Sequence, residues 1–156
     1  MNRTAAALCL AASLATPGLA LAREIILTTR LASYGGDGAY VAVYLTDAQG
    51  AYQGTLWLAG GKAKYYKHLP DWYRATGGAP AEYDGLTGAS VGAGRTLTVS
   101  VDLADALIDA GYQIRIDTSV EDMRDNPSEI VAPLTSDGAG VPIRGRGYVD
   151  SFTYDM

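Results

Sequence analysis

The chain has 156 residues, 48% of them hydrophobic, a single cysteine and a formal net charge of −5. That length supports one domain with its own core. The acidic balance argues against nucleic-acid binding, which needs a basic face for phosphate.

The chain opens with a short positive region, Asn2-Arg3, followed by an uncharged Ala/Leu run from Thr4 to Leu14. A Pro17-Gly18 breaker and the triplet Ala20-Leu21-Ala22 come next. Small residues at the first and third positions of that triplet fit a signal peptidase, so residues 1–22 read as a signal peptide cut after Ala22. The run is too short for a stable membrane anchor; the plainer reading is a buried N-terminal helix. Export would place residues 23–156 in the periplasm as a single domain. Cys9 leaves with the signal segment, and it lacks the leucine of a lipoprotein box. The mature chain then has no thiolate for a zinc site, an iron–sulfur cluster, a c-type haem or a nucleophile. No second apolar segment follows, so the mature chain is not expected to be membrane-embedded.

Along the mature chain, Arg23–Leu31 reads as a first strand and Ser33–Gly38 as a glycine-rich turn. Alternation in Ala39–Leu45 predicts a second strand. Asp47–Gly50 predicts a turn, and Tyr52–Leu58 a third strand that forms a hairpin with the second. Lys62–Ala75 breaks the β pattern and predicts a short helix interrupted at Pro70, with Asp71 as a local cap. Gly77–Ala93 is rich in small residues and reads as a loop or close-packed turn. Strands are predicted over Thr96–Leu103, Tyr112–Val120, Glu129–Leu134 and Gly145–Tyr154, with a polar turn at Asp122–Ser128. Short strands separated by Gly/Asp/Asn turns predict a mostly β chain, an immunoglobulin-like β-sandwich, with Lys62–Ala75 as a helical, aromatic insertion.

The sharpest short pattern is Asp84-Gly85-Leu86-Thr87-Gly88-Ala89-Ser90. It fits Asp-x-x-(Ser/Thr)-Gly-Ala-(Ser/Thr), and so resembles the sites of covalent FMN attachment in the flavin-bearing subunits of sodium-pumping NADH:quinone reductases. The resemblance implies that a periplasmic FMN transferase joins the FMN phosphate to Ser90, where the family more often has Thr. A phosphoester needs a hydroxyl acceptor, which Ser90 supplies. Gly88 and Ala89 would leave room for the transferase to close over the backbone. Asp84 would orient the acceptor loop or assist at the transferase metal. The plain alternative is an unmodified Gly-Ala turn.

A second resemblance is carried by Tyr40–Asp47, Gly54–Leu58, Lys67–Ala75 and Asp84–Ser90. These segments resemble the predicted periplasmic protein family DUF2271, less clearly after Asp122. The resemblance implies a periplasmic immunoglobulin-like domain linked with PepSY-type membrane proteins and flavin transfer.

On that reading Trp57, Trp72 and the neighbouring tyrosines are candidates to stack on an isoalloxazine ring. Lys62, Lys64, Lys67 and Arg74 would face its phosphate or an acidic partner, and His68 would stack on or hydrogen-bond the flavin. Taken singly, each tryptophan reads first as core, each lysine as solvated and His68 as a surface or cap residue. One histidine without thiolates builds neither a typical metal site nor a bis-histidine haem site. Ser90 lacks the Gly-x-Ser-x-Gly context of a hydrolase. Asp102, Asp105 and Asp109 lack calcium-loop spacing and read as solvated. The expectation is a periplasmic FMN carrier in electron transfer, with a redox-carrier role favoured over an enzymatic one. The rival is a flavin-free accessory module that binds a PepSY-type partner through Lys62–Arg74.

Overall fold

The computed structural model describes residues 21–156. The expected signal segment lies outside them except for Leu21 and Ala22. Alternating apolar side chains build two sheets. The smaller contains β1 (Ala22–Leu31), β5 (Thr96–Ala104) and β8 (Val149–Asp155) in the order β5-β1-β8. The larger contains β2 (Tyr40–Thr46), β3 (Tyr52–Ala59), β4 (Thr87–Gly88), β6 (Gln113–Ser119) and β7 (Asn126–Pro133) in the order β4-β3-β2-β6-β7.

The sheets face each other across one core. Ile25 and Leu27 of β1 and Phe152 of β8 meet Val41 and Val43 of β2, Ile114 and Ile116 of β6, and Ile130 of β7. This is the expected β-sandwich with an inserted helical segment. Removing such side chains from water is the main favourable term in folding.

A second apolar cluster explains the insertion. Ala42 and Tyr44 of β2 and Leu58 of β3 point to the outer face of the larger sheet. Tyr66, Leu69 and Trp72 cover them, with Tyr40, Tyr52 and Tyr83 packed at the edges. The insertion is therefore a third layer, and β2 is buried on both faces from Val41 to Thr46. Its form differs from the expected interrupted helix. A 3-10 turn spans Ala63–His68, and α1 spans Pro70–Thr76 with Pro70 at its start. Proline suits the first helical position because its missing N–H would be unpaired there anyway.

Asp71 is not the cap of α1. The backbone N–H groups of Asp71 and Trp72 donate to Asp117 Oδ2 on β6, at 2.8 and 2.9 Å. Asp117 Oδ1 accepts the Tyr44 hydroxyl at 2.9 Å and the Ser128 N–H at 2.8 Å. One fully buried carboxylate thus pins the third layer to the sheet beneath it. Burial pushes its pKa up, against the opposing pull of these donors.

Three other boundaries moved. Thr87–Gly88 is a two-residue strand parallel to β3 inside the segment read as a loop. β7 begins at Asn126, within the predicted polar turn, because its start pairs with Thr118 of β6. β8 begins only at Val149; Gly145 instead donates its N–H to the Val149 carbonyl, closing a turn.

Candidate functional site

The expected modification segment is held by its backbone. Leu58 N–H on β3 donates to the Leu86 carbonyl, and Gly60 N–H just past its end donates to the Gly88 carbonyl, both at 2.8 Å. Beyond β4 the chain reaches the residue just before β2, where Val91 and Ala39 exchange both backbone hydrogen bonds at 2.7 and 2.9 Å. Ser90 sits between these two anchored points. It is exposed, and its hydroxyl has no hydrogen-bond partner among the described residues. A Cβ on Gly38 would lie 2.8 Å from Ser90 Oγ, so the glycine-rich turn before β2 allows the two segments to abut.

Ser90 lies on the wall of a cleft of about 570 Å³. Four parts of the chain meet there: Asp37–Tyr40, the start of the insertion, Ser90 itself, and the turn after β6. The pairing of Tyr40 with Ser119 brings the last of these to the same end of the sheet as the turn before β2. Within the cleft, His68 Nδ1 lies 3.0 Å from Asp125 Oδ2. The other oxygen of Asp125 accepts the Ser119 hydroxyl at 2.8 Å. The rings of Tyr40 and Tyr65 meet edge to face at 5.7 Å. The Lys62 N–H donates to the Tyr40 hydroxyl at 3.1 Å, and the Tyr65 hydroxyl donates to Glu121 at 3.2 Å.

The structure brings together only part of the expected set. Ser90 and His68 line the same cleft. Ala89 and Thr87 are exposed beside them on the motif segment, whereas Asp84 sits in the turn before it. Gly85 and Leu86 line a different groove, with Thr55, Trp57 and Asp102. On the side of Gly88 where a side chain would project, the Trp57 ring already fills the space: a Cβ there would lie 2.8 Å from it. Trp57 packs at the edge of the main core, and its buried indole N–H has no partner among the described residues. Trp72 is fully buried under the insertion and donates its indole N–H to Thr55, so it is a core residue with no face open to a ligand. Lys64 lies 4.7 Å over the Tyr65 ring, and Arg74 pairs with Asp71. Asp105, read as solvated, is half-buried and pairs with Arg23 at 3.0 Å.

Asp37, Gly38, Tyr40, Asp125 and the run Ser119–Met123 are the cleft residues that the sequence reading missed. Their signal was present only as two turns, Ser33–Gly38 and Asp122–Ser128, and the strand ends beside them. Nothing local said that β2 and β6 are neighbours. Among the described residues, no group of three or more His, Cys, Asp or Glu side chains is placed to hold a metal ion. The site thus offers an exposed hydroxyl without a partner among the described residues, on a backbone fixed at both ends, beside a cleft that carries two tyrosine rings.

The chain matches the family model described as predicted periplasmic protein (DUF2271) over residues 22–151, most of its length, and it belongs to that family. No curated protein and no solved structure matches it. Among the described residues, no helix is long and apolar enough to cross a membrane.

Proposed function

We propose that this member of the predicted periplasmic family is an exported electron carrier, cut after Ala22, that bears FMN esterified to Ser90. The observation that carries the reading is the Ser90 hydroxyl. It ends the Asp-x-x-Thr-Gly-Ala-Ser pattern, is exposed and has no partner among the described residues, yet stands on a backbone anchored on both sides. An acceptor of this kind reaches a transferase without local unfolding.

Forming the ester requires a phosphoanhydride of FMN, such as flavin adenine dinucleotide, and a separate transferase. The Ser90 Oγ–P bond forms, the anhydride P–O bond breaks, AMP leaves and the hydroxyl proton is released. When bound, FMN supplies reversible electron transfer. The chain's own part is to present Ser90, hold its backbone still and offer an adjoining cleft. A PepSY-type membrane protein is the proposed redox partner.

Co-expression with an FMN transferase tests this reading. The intact exported protein should gain the mass of FMN less water, and Ser90→Ala should abolish the gain. An unmodified mass under those conditions rejects the carrier and leaves the flavin-free accessory module, whose contact surface would be the exposed Lys62, Lys64 and Lys67.

A further inference from the structure

The cleft beside Ser90 has a built interior. Its lining holds four carboxylates, Asp37, Glu121, Asp122 and Asp125, against the cationic Lys62 and the imidazole of His68. Such a lining repels a phosphate and favours an uncharged group. Tyr40 and Tyr65 give it aromatic surface, and both phenols are fixed by hydrogen bonds. Met123 adds a polarisable thioether, a good neighbour for an aromatic ring.

His68 is oriented as well. The Asp125 carboxylate only accepts, so its contact with Nδ1 places the ring proton there. The Ser119 hydroxyl holds the other Asp125 oxygen and keeps the carboxylate from turning away. Nε2 is then the free nitrogen, without a partner among the described residues. It accepts a hydrogen bond in the neutral ring and donates one in the cation.

We propose that this cleft binds an uncharged planar heteroaromatic ring, the isoalloxazine of the FMN carried on Ser90, with Tyr40 and Tyr65 as its aromatic wall and His68 as its polar anchor. The identity of the ring rests on the proposed ester; the recognition chemistry does not. An isoalloxazine edge carries both an N–H donor and carbonyl acceptors, so His68 Nε2 has a partner in either protonation state.

The test uses Ser90→Ala, which carries no ester, and riboflavin, which has no phosphate. Backbone amide NMR signals of Gly38, Tyr65, His68, Ser119 and Glu121 should shift saturably on titration. Tyr65→Leu should weaken binding by about threefold to tenfold, the worth of one aromatic contact. His68→Ala should weaken it by about fivefold, the worth of one hydrogen bond, with His68→Gln recovering part. The same spectra report whether each variant is folded. Absence of shifts, or shifts that gather at Trp57 and Gly85, overturns the proposal, as does unchanged affinity in both the Tyr65 and His68 variants. Mass spectrometry of the unmutated protein fails separately: riboflavin binding without an adduct removes the ester and keeps the cleft, and an adduct without riboflavin shifts does the reverse.

Discussion

The insertion between β3 and β4 serves two regions with opposite character. Tyr66 and Trp72 lie beneath it, closed off from water against Tyr44 and Leu58. Lys62, Tyr65 and His68, from the same stretch of sequence, stand on the wall of an open cleft. In the closed region every polar group of Asp117 and the indole N–H of Trp72 are satisfied internally. In the cleft, the Ser90 hydroxyl and His68 Nε2 are left free among the described residues. Aromatic composition alone therefore does not mark a ligand site. What separates the regions is whether the hydrogen-bonding groups are already paired.

The largest effects should fall in the closed region. Trp72→Ala removes a fully buried indole and should cost about 3–5 kcal/mol in chemical denaturation. Asp117→Ala leaves four donors without their acceptor, two of them at the start of α1. It should cost at least about 3 kcal/mol, because each buried unpaired group carries its full desolvation penalty. Equal stability of Asp117→Ala and the parent would mean that the carboxylate does not anchor the third layer.

Gly88→Ala tests the boundary between the regions. Its Cβ would meet the Trp57 ring at 2.8 Å, so the indole must move, at about 1–3 kcal/mol. A neutral result would show that space beside Gly88 is available after all.

The pH dependence is a smaller effect with a definite sign. Burial raises the Asp117 pKa, so the folded state holds its proton more tightly than the unfolded chain. That contribution is fully present below the ordinary aspartate pKa and is lost as pH rises through the raised value. Asp117→Asn should lose this component of the stability–pH curve; an unaltered curve would assign it to another group. The smallest stability effect should be that of Ser90→Ala, within about 0.5 kcal/mol, because the side chain is exposed and makes no contact that the fold needs.

Much of the sandwich was legible because alternating Val, Ile, Leu and Thr at strand spacing record one buried face. The third layer was not. Asp117 alternates with Ile114, Ile116 and Thr118, and a carboxylate at an alternating position reads as solvent-facing until something covers that face. Tyr66 sits between Lys64 and Lys67, so its stretch reads as surface, although Trp72 taken singly reads as core. Pro70 read as an interruption because proline is equally consistent with a helix start and a helix break. In the cleft, Ser90 and His68 were singled out by residue type and resemblance, but their meeting depends on the pairing of β2 with β6 and of Ala39 with Val91. Those contacts are long-range and leave no local pattern. Asp125 and Ser119 were missed for the same reason.

The most direct test of the Ser90 acceptor is a tryptic map of the exported protein made alongside an FMN transferase. Cleavage after Arg74 and Arg95 releases one peptide, Ala75–Arg95, that contains both Thr87 and Ser90. Tandem mass spectrometry of that peptide should place FMN less water on Ser90. A peptide found only unmodified, or modified on Thr87, would contradict the account.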